Sequence, residues 1–468
     1  MKPWFEVSEK GFKALLSGKK KTFVINELVQ NCWDEPITFC KVDVKWDSGN
    51  VQLMVEDDSP IGFRDIEHAY VLFADTYKRT SPVHRGRMNI GEKLVLAICI
   101  NYGAEISTTK GTLEFHPVKG RIHHWSNKRE RGSVFKGTFR ATKVEYEEMM
   151  DHARKLLPPT GIEYYINGER VNSKEIFKSF ESTLDTEIFE NDVIKIIRRK
   201  TEVHLIESSG QSYVFEMGIP VMETDCKWHI DVQQRVPLTI DRESIKPSYL
   251  KVLYAEILNH THNDLVKEEV STSWVRTGFV DNRIEKDAAK SIMEKRYGDK
   301  YLSKSPFDDN ANDEAISKKH HLIQGPELSK EEWNKLHELD IIRSTSELYG
   351  KNGVLGTDVI PTPAQERMAR FVKKVARDYL KMEISVRFVK ADVKDGAYFG
   401  SNELIFIVNK LPKNFFDEVT ADFLDLMYHE LGHKAGNHTD HAYHRLLTRL
   451  SAQVTMRAWK DHSYLELN

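Results

Sequence analysis

Cysteine is scarce. The chain holds four in 468 residues, Cys32, Cys40, Cys99 and Cys226, with no C-x-x-C spacing among them. That excludes a disulfide framework and points to reduced, mostly buried thiols. No charge sign dominates either: the formal net charge is −3, so the chain as a whole has no electrostatic pull towards nucleic acid. No apolar run approaches the roughly 20 residues needed to span a bilayer. The start, Met1-Lys2-Pro3-Trp4, lacks the apolar core of a signal peptide. The expectation is a cytoplasmic protein with no membrane partner. What is present is ordinary globular material, 40% hydrophobic and 30% charged, long enough for about three domains.

Four pieces stand out, in order. An apolar-periodic run, Phe23 to Trp33, reads as a helix and places Glu27, Asn31 and Asp34 at i, i+4 and i+7 on one face. A strand, Val51 to Val55, runs into Asp57-Asp58-Ser59-Pro60-Ile61-Gly62-Phe63. Arg85-Gly86-Arg87-Met88-Asn89-Ile90-Gly91-Glu92-Lys93 opens an apolar helix, and Gly137-Thr138 lies inside a strand-like run. This ordered set, over roughly residues 8 to 145, resembles the ATP site of the GHKL superfamily of gyrase, heat-shock-90 chaperones, histidine kinases and MutL.

The resemblance implies a Bergerat-type α/β sandwich that binds ATP and Mg2+. In it Glu27 would act as the base that deprotonates water. Asn31 would give an amide oxygen to Mg2+, with Asp34 on the same face. Asp58 would accept from the adenine amino group, Gly62 would let backbone approach the base, and Thr138 would support the aspartate. Gly86, Gly91 and Lys93 would form a mobile lid whose N–H groups, helix N-terminus and ammonium meet the phosphates. The family's Asp-x-Gly-x-Gly reads here Asp58-Ser59-Pro60-Ile61-Gly62. Proline removes an N–H and fixes φ, so a different loop shape is expected.

From 151 to 275 strand runs continue, with the turn Asn167-Gly168 and a helix opened by Pro247. This resembles the transducer domain that follows the ATP domain in gyrase and MutL. There a Gln-x-Lys returns to the γ-phosphate, and Gln233-Gln234-Arg235 occupies a comparable place, which would make Arg235 a phosphate ligand.

Near the C-terminus a helix carries His429-Glu430-Leu431-Gly432-His433. Two histidines at i and i+4 can chelate one zinc, with Glu430 as general base on a zinc-bound water. The third ligand is expected at His438, with His441 and His444 as alternatives. The arrangement resembles compact zincin metallopeptidases of the SprT type.

The fold expected is therefore α+β and multidomain: an ATP-binding domain at 1–150, a transducer-like domain at 151–275, a helical connector at 276–350 and a small zincin-like domain at 351–468. The function expected is an ATPase, dimerising on ATP, whose motion gates a zinc metallopeptidase acting on a protein substrate. A second reading makes the zinc module non-catalytic and the ATPase a chaperone-like or nucleic-acid-remodelling clamp, although no DNA-reading motif is visible.

Overall fold

The computed structural model describes residues 11, 16, 18–87, 89–190, 193–239, 244–305, 308–349, 356–393, 395–400, 402–435 and 441–465. Internal packing divides the chain into two units. The first takes 1–299 with 328–341, and the second takes 300–327 with 342–468. The stretch expected as a connector is thus shared between them. Of the flexible joint that Tyr349-Gly350-Lys351-Asn352-Gly353 suggests in sequence, the part from Gly350 on lies outside the described residues.

The first unit contains two sheets. Strands β1 (Phe39–Asp47), β2 (Asn50–Asp57), β3 (Ala104–Thr108), β4 (Gly111–His116), β5 (Gly120–His124), β6 (Val134–Arg140), β7 (Glu163–Ile166) and β8 (Glu169–Val171) lie in the order β5-β4-β3-β6-β2-β1-β7-β8. The sheet runs past residue 150 because β7 pairs in parallel with β1. Ser48 and Gly49, both at positive φ, close the β1–β2 hairpin, which sets its register at Cys40 opposite Asp57. Strand alternation then fixes the faces: Val51, Leu53, Val55 and Asp57 are buried, while the residues between them are more exposed.

That buried face carries helices α1 (Phe23–Trp33) and α2 (Gly91–Cys99). Helix α1 has no side-chain N-cap, so burial of Val24, Ile25, Leu28, Val29 and Trp33 holds it in place. The second sheet has the order β12-β11-β13-β10-β9, from β9 (Ile176–Glu190), β10 (Val193–Glu207), β11 (Ser212–Glu216), β12 (Ile219–Thr224) and β13 (Trp228–Val232). Helix α3, Pro247–Thr261, begins with the proline at its first turn and buries Leu253, Ile257 and Leu258.

The second unit has a four-stranded sheet, β16-β17-β19-β18, following a short parallel pair β14 (Tyr301–Ser303) and β15 (His321–Ile323). Its strands are β16 (Thr357–Asp358), β17 (Ser385–Lys390), β18 (Ala397–Gly400) and β19 (Glu403–Ile407). The Thr362 capping box starts helix α4, Pro363–Val375, whose Met368, Phe371, Val372 and Val375 are buried. Helices α5 (Ala421–Gly432) and α6 (His441–Lys460) follow. Phe388, Phe406, Phe416 and Phe423 form a ring cluster at the centre of the core. Among the described residues no helix is long and apolar enough to cross a membrane.

Candidate functional site

Helices α1 and α2 and the inner face of β2, β3 and β6 enclose an open cleft of about 130 Å³. Asn31 and Cys32 reach it from α1, Asp57 and Gly62 from the end of β2, and Gly86, Asn89 and Glu92 from the segment opening α2.

Of the two adjacent aspartates, Asp57 is the one in the cleft wall. Its Oδ1 accepts from the backbone N–H of Ser59 at 2.8 Å and of Ser133 at 3.3 Å. Burial pushes its carboxyl up to about 6, against hydrogen bonds from Ser59, Ser133 and the Cys32 thiol. Asp58, expected to take the adenine, is committed elsewhere. Its carboxylate accepts from Thr38 N at 2.7 Å, Thr38 Oγ1 at 2.5 Å and Phe39 N at 3.1 Å. It also pairs with Arg131 at 3.0 Å. Burial raises the Asp58 carboxyl, but the Thr38 and Phe39 hydrogen bonds and Arg131 outweigh it and hold the group below its ordinary value. Asp58 therefore ties the end of β2 to the start of β1. The physical reason is parity: consecutive strand residues face opposite sides, and Asp57 shares the side of Val51, Leu53 and Val55.

Thr138 is also displaced from its expected role. It pairs with Gln52, five positions along β2 from Asp57, or about 17 Å at the strand rise. Ser133, whose carbonyl accepts from Asp57 N at 3.0 Å and whose N–H donates to Asp57 Oδ1 at 3.3 Å, stands in the supporting place.

Pro60 does not spoil the loop. Gly62 N donates to Ser59 O at 3.2 Å, closing a turn in which proline holds the second position. Gly62 keeps φ +62°, and a Cβ there would stand 2.8 Å from Thr109 Oγ1.

Glu27 accepts from the Gln30 amide and packs on the start of α2. A Cβ on Gly91 would come 1.7 Å from Glu27 Oε2, so a larger residue there would displace the Glu27 carboxylate. Asp34 is buried. Its Oδ1 accepts from Arg85 N at 2.9 Å and its Oδ2 from Gly86 N at 2.8 Å, which pins this segment to the end of α1. Lys93, expected at the phosphates, is buried instead: its Nζ donates to Asn89 Oδ1 at 2.8 Å and to the His68 carbonyl. Arg235 is likewise withdrawn. It is 1% exposed, and its guanidinium donates to the carbonyls of Lys78, Arg79, His84 and Gly86. A group spent on four carbonyls does not serve as a phosphate ligand in this conformation: Arg235 braces the backbone of residues 78 to 86, and Lys93 joins Asn89 to His68. Among the described residues, the Lys and Arg side chains lining the cleft are Arg64 and Lys78, which no sequence pattern singled out.

In the second unit, His429 and His433 share one side of α5 and its continuing turn, ring centroids 5.3 Å apart. Tyr443 Oη lies 3.0 Å from His429 Nδ1, and its ring packs on Gly432, where a Cβ would stand 2.9 Å from Cε2. Burial pushes the Glu430 carboxyl up to about 8, against a hydrogen bond from the Phe399 N–H. Among the described residues no three His, Cys, Asp or Glu side chains are placed to hold a metal ion. That corrects the alternatives His441 and His444. Both are exposed on α6, while Tyr443 between them takes the inward position, as a 100° step per residue requires. His438 lies outside the described residues.

No protein-family model matches the chain, and no curated protein matches it. Among solved structures it is similar to the ATPase region of Saccharomyces cerevisiae topoisomerase II, at 15% identity and a TM-score of 0.30, over 42% of this chain and 61% of that one. It is similar also to that region bound to ICRF-187 (dexrazoxane), at 14% identity and a TM-score of 0.30, over 43% and 62%. The chain therefore spans about three-fifths of the length of these neighbours.

Proposed function

We propose that the first unit binds ATP in the α1–α2 cleft and hydrolyses it. One observation carries the reading: a buried aspartate, Asp57, is held by backbone N–H groups on the wall of an open cleft that Asn31 and Gly62 also line. A carboxylate in that setting would accept from an exocyclic amino group such as that of adenine. Asn31 offers an amide oxygen to Mg2+, which would neutralise phosphate charge there. Glu27, on α1 and packed against the start of α2, takes a proton from the attacking water.

Asp57→Asn is expected to weaken ATP binding about 10- to 100-fold, the worth of a hydrogen bond to a charged acceptor. Calorimetric titration with ATP measures it, and wild-type affinity in the variant would overturn the assignment. Because the Asp57 carboxyl sits up to about 6, protonation removes the charge that makes it a strong acceptor, so wild-type affinity should fall as pH drops below about 6 and hold above it.

For the second unit we propose a zinc peptidase site, supported by the paired His429 and His433 and the buried Glu430 beside them. His429 and His433 would hold zinc, with His438 as third ligand. The metal would polarise a water, and Glu430 would move its proton. Tyr443 Oη, 3.0 Å from His429 Nδ1, would leave Nε2 of His429 for the metal. The expected result is one zinc per wild-type chain and none in His433→Ala, read by elemental analysis. Wild type without zinc would sink this site. We further read the two activities as coupled in an ATP-dependent homodimer.

A further inference from the structure

The cleft is lined by a cation, Lys78, that is neither Lys93 nor Arg235. Lys78 belongs to a short turn, Tyr77–Thr80, whose start is fixed by Thr76 accepting from Lys78 N at 3.4 Å. Its side chain is 14% exposed and lines the cleft with Glu35. Its ammonium lies 2.8 Å from Glu35 Oε1 and 3.9 Å from Asp34 Oδ2. The backbone beneath it is braced by Arg235, which reaches from beyond β13 to Lys78 O at 2.5 Å, Arg79 O at 3.0 Å and His84 O at 2.6 Å. The main chain is thus immobilised while the ammonium rests on exchangeable carboxylates. Asp34 is already committed to Arg85 and Gly86, so Glu35 is the partner that can be given up.

We propose that Lys78 is a phosphate ligand of the nucleotide, held in reserve by Glu35 and positioned by Arg235. This rests on the nucleotide-binding reading above. A triphosphate carries several negative charges against the single one of Glu35, so the ammonium changes partner when the nucleotide enters. Arg235 reaches no phosphate itself. It acts by fixing where Lys78 starts from, and so ties the second sheet to the occupancy of the cleft.

The experiment is a double-mutant cycle of Lys78→Met and Glu35→Gln, with affinities for ATP and for adenosine measured by calorimetry on the full chain. Lys78→Met is expected to lose about 10- to 100-fold in ATP affinity and to leave adenosine unchanged. Glu35→Gln is expected to tighten ATP in the wild-type background and to lose that gain when Lys78 is already methionine. Arg235→Gln should weaken ATP but not adenosine, and Arg235→Lys should not rescue it, since an ammonium cannot span four carbonyls. Additive effects in the cycle, or Lys78→Met binding ATP like wild type, would overturn the proposal while leaving the cleft reading intact. Wild type that binds neither ligand would overturn both.

Discussion

Gly132→Ala should destabilise the protein by roughly 2–4 kcal/mol and weaken ATP binding at the same time. Gly132 has φ +77°, and a Cβ there would stand 2.0 Å from the Asp57 carbonyl oxygen, 2.9 Å from its carbon and 3.1 Å from Asp58 Cα. All three are backbone atoms, so no side-chain rotation relieves the clash. The same glycine donates to Ser59 O at 2.8 Å, inside the turn that shapes the cleft wall. Relief must therefore come from moving the end of β2, and with it Asp57. Thermal melts and ATP titration of the same variant check both halves. An unchanged melt, or a lowered melt with wild-type ATP affinity, would mean that the turn does not position Asp57.

Glu92→Gln should make the protein more stable at pH 8 while leaving it nearly unchanged near pH 4.5. Glu92 lies in the first turn of α2 and is 7% exposed. Burial raises its carboxyl from an ordinary 4.5 to about 7, against the charges of Lys93 and Lys78. The folded state therefore binds this proton more tightly than the unfolded chain does. Stability from this group is fully present below about pH 4.5, declines as pH rises towards 7, and stays lost above it. At about 1.4 kcal/mol per pH unit, the loss across that window is of order 3 kcal/mol. Glutamine has no proton to lose and escapes it. Denaturant melts at pH 5 and pH 8 measure the difference. An equal effect at both values would show that Glu92 is not held neutral by its site.

Much of the first unit is local physics and reads directly from the chain. The apolar period of Phe23 to Trp33 makes a helix because its inward positions are aliphatic and aromatic, and they bury as expected. Asn50 to Asp57 forms a strand, and the alternation of Val51, Leu53, Val55 and Asp57 already marks Asp57 as inward-facing. That signal was legible and points one residue earlier than the motif spacing does. The His429 and His433 pair also follows from sequence, since i and i+4 on a helix share a side whatever surrounds them.

Other features depend on partners that sequence distance hides. Arg235 looks like a phosphate ligand by its place in the chain. Its fate is set by carbonyls of residues 78 to 86, about 150 positions away, which no local pattern foretells. Lys78 carries no motif at all and enters the cleft because its turn packs on β9 and its ammonium reaches Glu35, just past the end of α1. Thr138 has the right residue type, but the β2–β6 register places it far from Asp57. The sequence by itself determined where helices and strands form and which way their side chains face, because those periodicities are properties of the backbone. Only the tertiary structure decided which charged groups reach the cleft and which are spent on holding it. A buried cation settles on whichever acceptors the fold brings within hydrogen-bond reach, however distant they are along the chain.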